Sequence, residues 1–118
     1  MTAKPVRYSQ LSPARQALVR LCQSTNYGHI QDLDVRDQEP VLTAQKCVVL
    51  TDVKLDAEER PRQEAAEPDF LLCAEIVRLM ALLDKINNGK ISKLEIRAGI
   101  PRRIILENVP TEFECVST

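Results

Sequence analysis

The side chains able to do chemistry are few and dispersed. Nucleophilic catalysis by cysteine needs an imidazole close by to take the thiol proton. The chain has one histidine, His29, just after a glycine that closes a helix pattern. It reads as an exposed strand residue. Asp32, Asp34 and Asp37 lie on the same strand pattern and its turn, and read as a solvated face. The four cysteines, Cys22, Cys47, Cys73 and Cys115, form no CxxC pair, so their spacing suggests no zinc site. Phosphate-cradling glycine loops and the HExxH helix are absent from the sequence. These residues point away from an enzyme and assign no catalytic residue, cofactor or metal.

Phosphate recognition is the stronger chemical signal. Residues 85–103 carry Lys85, Lys90, Lys93, Arg97, Arg102 and Arg103 against Glu95 alone. Such a basic strip can contact a nucleic-acid backbone. Residues 1–28 add Lys4, Arg7, Arg15 and Arg20 with no acid. The formal net charge is −1, which gives no global drive toward an anionic partner. Aromatics are 3% of the chain, and the strand patterns offer none for stacking on bases.

The elements that position these residues come in a repeat. Shifting the chain by 61 residues aligns Leu18 with Leu79, Leu21 with Leu82, Asn26 with Asn87 and Gly28 with Gly89. The same shift aligns Ile30 with Ile91, Leu33 with Leu94, Arg36 with Arg97 and Pro40 with Pro101. Beyond the proline the offset falls to 56, setting Val48 to Val53 against Ile104 to Val109, so copy one carries an insertion near "VLTAQ". An internal duplication follows. Copy one spans about 12–55, a polar linker 56–68, and copy two about 69–109, all in one domain, 1–118.

Each copy reads as helix, strand, strand. Ser12 and Pro13 are an N-cap and first-turn residue, and Leu18, Leu21, Cys22 and Thr25 share a helical face. Pro68 and Asp69 open the second helix, whose wider apolar arc predicts deeper burial. Gly28 and Gly89 are expected to end the helices with positive φ. One extra residue between the first two apolar positions of each following strand predicts a β-bulge. The expected class is α+β: a four-stranded antiparallel sheet with both helices on one face, guessed to be a permuted ferredoxin-like order.

The segments "GKISKLEIRAGIPRRI" and "NYGHIQDLDVRDQEPV" resemble the YezD-like family of small bacterial proteins. That resemblance implies a helix-hairpin unit and a bacterial source, and brings no catalytic residue with it. The departures are the extra strand residue in both copies and the insertion in copy one.

Neighbouring strand residues face opposite ways. In "CVVL" and "RIIL", part of the set Val48, Val49, Leu50, Ile104 and Ile105 must therefore face away from the helices. The tail "PTEFECV" or a second chain could cover it. The reading is a small non-catalytic interaction or regulatory protein, self-associating as a homodimer or binding another protein. A nucleic-acid binder using the strip 85–103 is the alternative. No apolar run approaches the roughly 20 residues of a membrane span, and the N-terminus lacks a signal-peptide pattern. A cytoplasmic location with reduced thiols is expected.

Overall fold

The computed structural model describes residues 6–43, 47–58 and 60–107. Among these residues, two α-helices, α1 (Pro13–Thr25) and α2 (Ala74–Ile86), accompany five strands. These are β1 (Gly28–Arg36), β2 (Glu39–Val41), β3 (Val48–Thr51), β4 (Gly89–Arg97) and β5 (Ile100–Glu107). The class is α+β, with one antiparallel sheet ordered β2-β1-β4-β5. β3 also pairs with β1, along the edge it shares with β2. The outer partner of β1 on this side is therefore two short pieces, β2 and β3, and residues 44–46 between them fall outside the described residues.

The first strand of each hairpin is central. A permuted ferredoxin-like sheet would place the second strands there, so that guess is corrected. β1 and β4 pair along their length, with Ile30 opposite Leu94 and Leu33 opposite Ile91. Each strand carries one residue too many for strict alternation. Asp32 absorbs it with φ 57°, and β4 slips against β5 between Ile91 and Lys93, which is the expected bulge. Because both central strands carry the extra residue, their mutual register survives and Ile30, Leu33, Val35, Ile91, Leu94 and Ile96 all face the core.

Against that face pack Leu18, Val19 and Cys22 of α1 and Ile76, Leu79, Met80 and Leu83 of α2. Burial of these aliphatic side chains is the main stabilising term. The helices are buried to similar extents, so the deeper burial expected of α2 is not found. Ser12 caps α1 as expected, its Oγ accepting from the Arg15 amide. Pro68 and Asp69 do not open α2, which starts at Ala74 after Cys73. Asp69 instead accepts from Arg7 Nε at 2.8 Å and the Ser9 amide at 2.9 Å. It thereby ties the N-terminal segment to the approach to α2.

Of the glycine expectation, positive φ holds at Gly28 alone, and neither glycine ends its helix. Positive φ at the helix ends falls on Asn26 (64°) and Asn87 (60°), whose amides donate to the Cys22 and Leu83 carbonyls. Asparagine tolerates this region better than other residues with a Cβ. Gly89 is not in it. Gly28 has φ 151°, and a Cβ there would collide with the Leu50 carbonyl oxygen as β3 crosses it.

Candidate interaction surface

The helix-free face of the sheet can be read in rows across the strands. One row runs Leu50, His29, Glu95, Arg103. The next runs Val48, Gln31, Lys93, Ile105, and the third runs Val41, Asp34, Lys90, Glu107. Apolar side chains occupy the β2/β3 edge, polar ones the middle, and on the β5 edge Ile105 stands between Arg103 and Glu107. Val48 is 48% exposed, Leu50 43% and Ile105 46%, so all three present aliphatic surface to solvent. Val49 and Ile104 point the other way and pack against the core. The facing also corrects the alignment after the proline. Val49 lies opposite Ile30 and Leu106 opposite Ile91, so Val49 corresponds to Leu106 rather than to Ile105.

The basic strip does not form one surface. Lys90 sits between Asp34 and Glu107, and Arg103 lies opposite Glu95. Arg97 Nε is 3.7 Å from the same Glu95. Arg102 points to the helix side and pairs with Glu75 at 2.6 Å. The Glu75 carboxyl is held below its ordinary value first by its own backbone amide, then by the nearby Arg102 charge. Lys85 stands apart on α2. Interleaved acids neutralise much of what the sequence shows as a run of cations.

The arginines near the N-terminus hold the fold together. Arg15, only 11% exposed, donates to Glu39, to Asp84 and to the carbonyls of Gln38 and Met80. The Arg20 guanidinium lies 4.3 Å from the centre of the Tyr8 ring, which stacks on Phe70. It also donates to the carbonyls of Glu64, Ala65 and Glu67 in and beside the 3-10 turn Gln63–Ala66. The linker is thereby fastened to α1. Arg7 is engaged by Asp69. Sequence reasoning missed this cluster because its partners lie far along the chain; the pairing of Tyr8 with Phe70 has no local signal.

The carboxylates diverge. Asp34 lies beside Lys90, Asp32 sits at the bulge, and Asp37 is in the hairpin turn. Among the described residues no three His, Cys, Asp or Glu side chains converge as a metal site would require. His29 lines an open depression of about 540 Å³ with Tyr27, Leu50, Glu95 and Arg97, and no cysteine lines it. Cys22 is buried, which pushes its thiol up to about 12 and leaves it protonated. Cys47 and Cys73 are also free thiols, and Cys115 lies outside the described residues. The tail from Asn108 that could cover the sheet lies outside them as well. No helix among the described residues is long and apolar enough to cross a membrane.

Comparison of the chain with protein-family models, with curated proteins and with solved structures finds no match.

Proposed function

We propose that this chain is a non-catalytic interaction module of the bacterial cytoplasm. It is built from two tandem YezD-like helix-hairpin units and self-associates as a homodimer through its sheet. The observation that carries the reading is the exposed aliphatic surface of Val48, Leu50 and Ile105 on the side of the sheet that neither described helix covers. Apolar surface of this kind gains free energy when a partner removes it from water. The dispersal of His29, the aspartates and the thiols supports the non-catalytic part.

Duplication is supported by backbone correspondences that the apolar pattern alone would not require. Positive φ occurs at Asn26 and Asn87, at Asp37 and Ala98, and at Gln38 and Gly99, each pair 61 residues apart. The Gln38 amide donates to the Asn87 carbonyl at 2.7 Å, and the Gly99 amide to the Asn26 carbonyl at 2.8 Å. Each unit's hairpin turn thus caps the other unit's helix.

Sedimentation velocity over a concentration series tests the reading. A dimer is expected. A chain that stays monomeric yet shifts RNA at low salt would replace this reading by nucleic-acid binding. Reversing Lys90, Lys93, Arg97, Arg102 and Arg103 together would then flatten the salt slope by roughly 0.7 to 0.9 per lost phosphate contact.

A further inference from the structure

The two edges of the sheet differ in what they offer a partner. β2 and β3 are short and separated by the insertion, a common way to blunt an edge. β5 is continuous from Ile100 to Glu107, with a bulge at Arg102 and regular pairing from Arg103 to Ile105, and among the described residues nothing pairs with its outer side. Its unpaired amides and carbonyls can receive another strand.

We propose that β5 pairs antiparallel with β5 of a second copy, about a two-fold axis through Ile105, joining the two sheets into one. The proposal rests on the self-association reading and names its contact. In an antiparallel ladder, residues opposite one another face the same side, so the axis must pass through a residue and not between two. An axis through Arg103 would set two Arg103 side chains together. One through Ile104 would set Arg103 against Ile105 and the bulged Arg102 against Leu106, with no charge pair. An axis through Ile105 sets Arg103 against Glu107 of the second copy, twice, and Ile104 against Leu106.

Charge complementarity then extends across both sheets. The row Asp34, Lys90, Glu107 of one copy would continue into Arg103 and Glu95 of the other, with the sign alternating at each step. Ile105, 46% exposed, would meet its own counterpart on the helix-free face. On the helix side, Leu106 of the second copy would come beside Ile104. That residue lines a groove of about 220 Å³ with Leu79, Leu82 and Pro101, and with the charged Glu75, Arg78 and Arg102. The aliphatic part of its lining offers that leucine cover.

Charge exchange tests this pairing. Arg103→Glu and Glu107→Arg should each weaken dimerisation on the order of tenfold in sedimentation velocity, since like charges then face each other at both symmetric positions. The double variant, Arg103→Glu with Glu107→Arg, should restore association to within a few-fold of wild type, because the exchanged pair is again complementary. Circular dichroism melts establish that each variant is folded, and the double variant separates lost pairing from lost stability. Single variants that dimerise like wild type would overturn the β5 contact while leaving self-association standing. A double variant as weak as the singles would overturn the register. A monomeric wild type would remove the pairing and the broader reading together.

Discussion

At positions 61 residues apart, the two halves of the molecule reach similar backbone with different side chains. Arg15 on α1 stands where Ile76 stands on α2. The arginine holds two carboxylates and two carbonyls, whereas the isoleucine is 4% exposed among aliphatic neighbours. The tight turn after β1 uses Asp37 and Gln38 with φ 52° and 68°; the turn after β4 uses Ala98 and Gly99 with φ 53° and 75°. Positive φ at both central residues suits the right-handed twist of a two-residue hairpin. The edge strand is broken in the first half and continuous in the second. A shared backbone therefore fixes where the chain turns, while the side chains decide what each half ties down. The first half binds linker and turn with polar contacts; the second ends in a continuous edge strand whose outer side pairs with nothing among the described residues.

The comparison can be broken most sharply at the glycines. Gly28→Val should cost about 3 kcal/mol or more, because its Cβ meets the backbone of β3, which cannot yield as a side chain can. Gly89→Val meets only the Ile86 methyl at 3.0 Å and should cost about 1 kcal/mol, the ordinary scale of an imperfect fit. Chemical denaturation measures both. Equal losses would mean that β3 does not press on β1 as described.

A smaller effect of opposite sign is expected at Ala98. Left-handed backbone disfavours alanine, and asparagine followed by glycine suits this turn best. Ala98→Asn should stabilise the second half by about 0.5 kcal/mol, seen as a shifted denaturation midpoint with unchanged slope. No gain there would mean that turn strain does not distinguish the two hairpins.

The mildest test concerns the seam between the halves. Hydrogen bonds from Arg7 first, then from the Ser9 amide, lower the Asp69 carboxyl from its ordinary 3.8 to about 2. Because the folded value is depressed, the stabilisation is present above about pH 4 and is lost as pH falls toward 2. Asp69→Asn should flatten that part of the stability-pH curve. An unchanged acid limb would detach the N-terminal segment from the approach to α2.

Much of the fold was legible because it rests on local rules. Ser12 and Pro13 mark the start of α1, and apolar spacing marks its face. The repeated extra residue in β1 and β4 announced the bulge before any partner strand was known. The helix ends fall at Asn26 and Asn87, two residues before the glycines, because asparagine also accepts positive φ and the local pattern does not separate the two residue types. Val48, Val49 and Leu50 could be recognised as a two-sided apolar run, but their facing could not. A one-residue change of register exchanges the faces of a strand, and the register depends on the pairing with β1. The basic strip looked continuous because most of the acids that interrupt it lie outside residues 85–103: Asp34 on β1, Glu75 on α2 and Glu107 at the far end of β5.

Composition, periodicity and self-alignment by themselves determined the α+β class, two amphipathic helices and the sheet's main apolar positions. Those features depend on residues within a few positions of one another. Tertiary structure alone decided which strands are central, which edge stays continuous, and which arginines are spent inside the fold. Each of these depends on pairings between distant segments, where hydrogen-bond satisfaction and charge neutralisation select one arrangement from several that the local pattern allows equally.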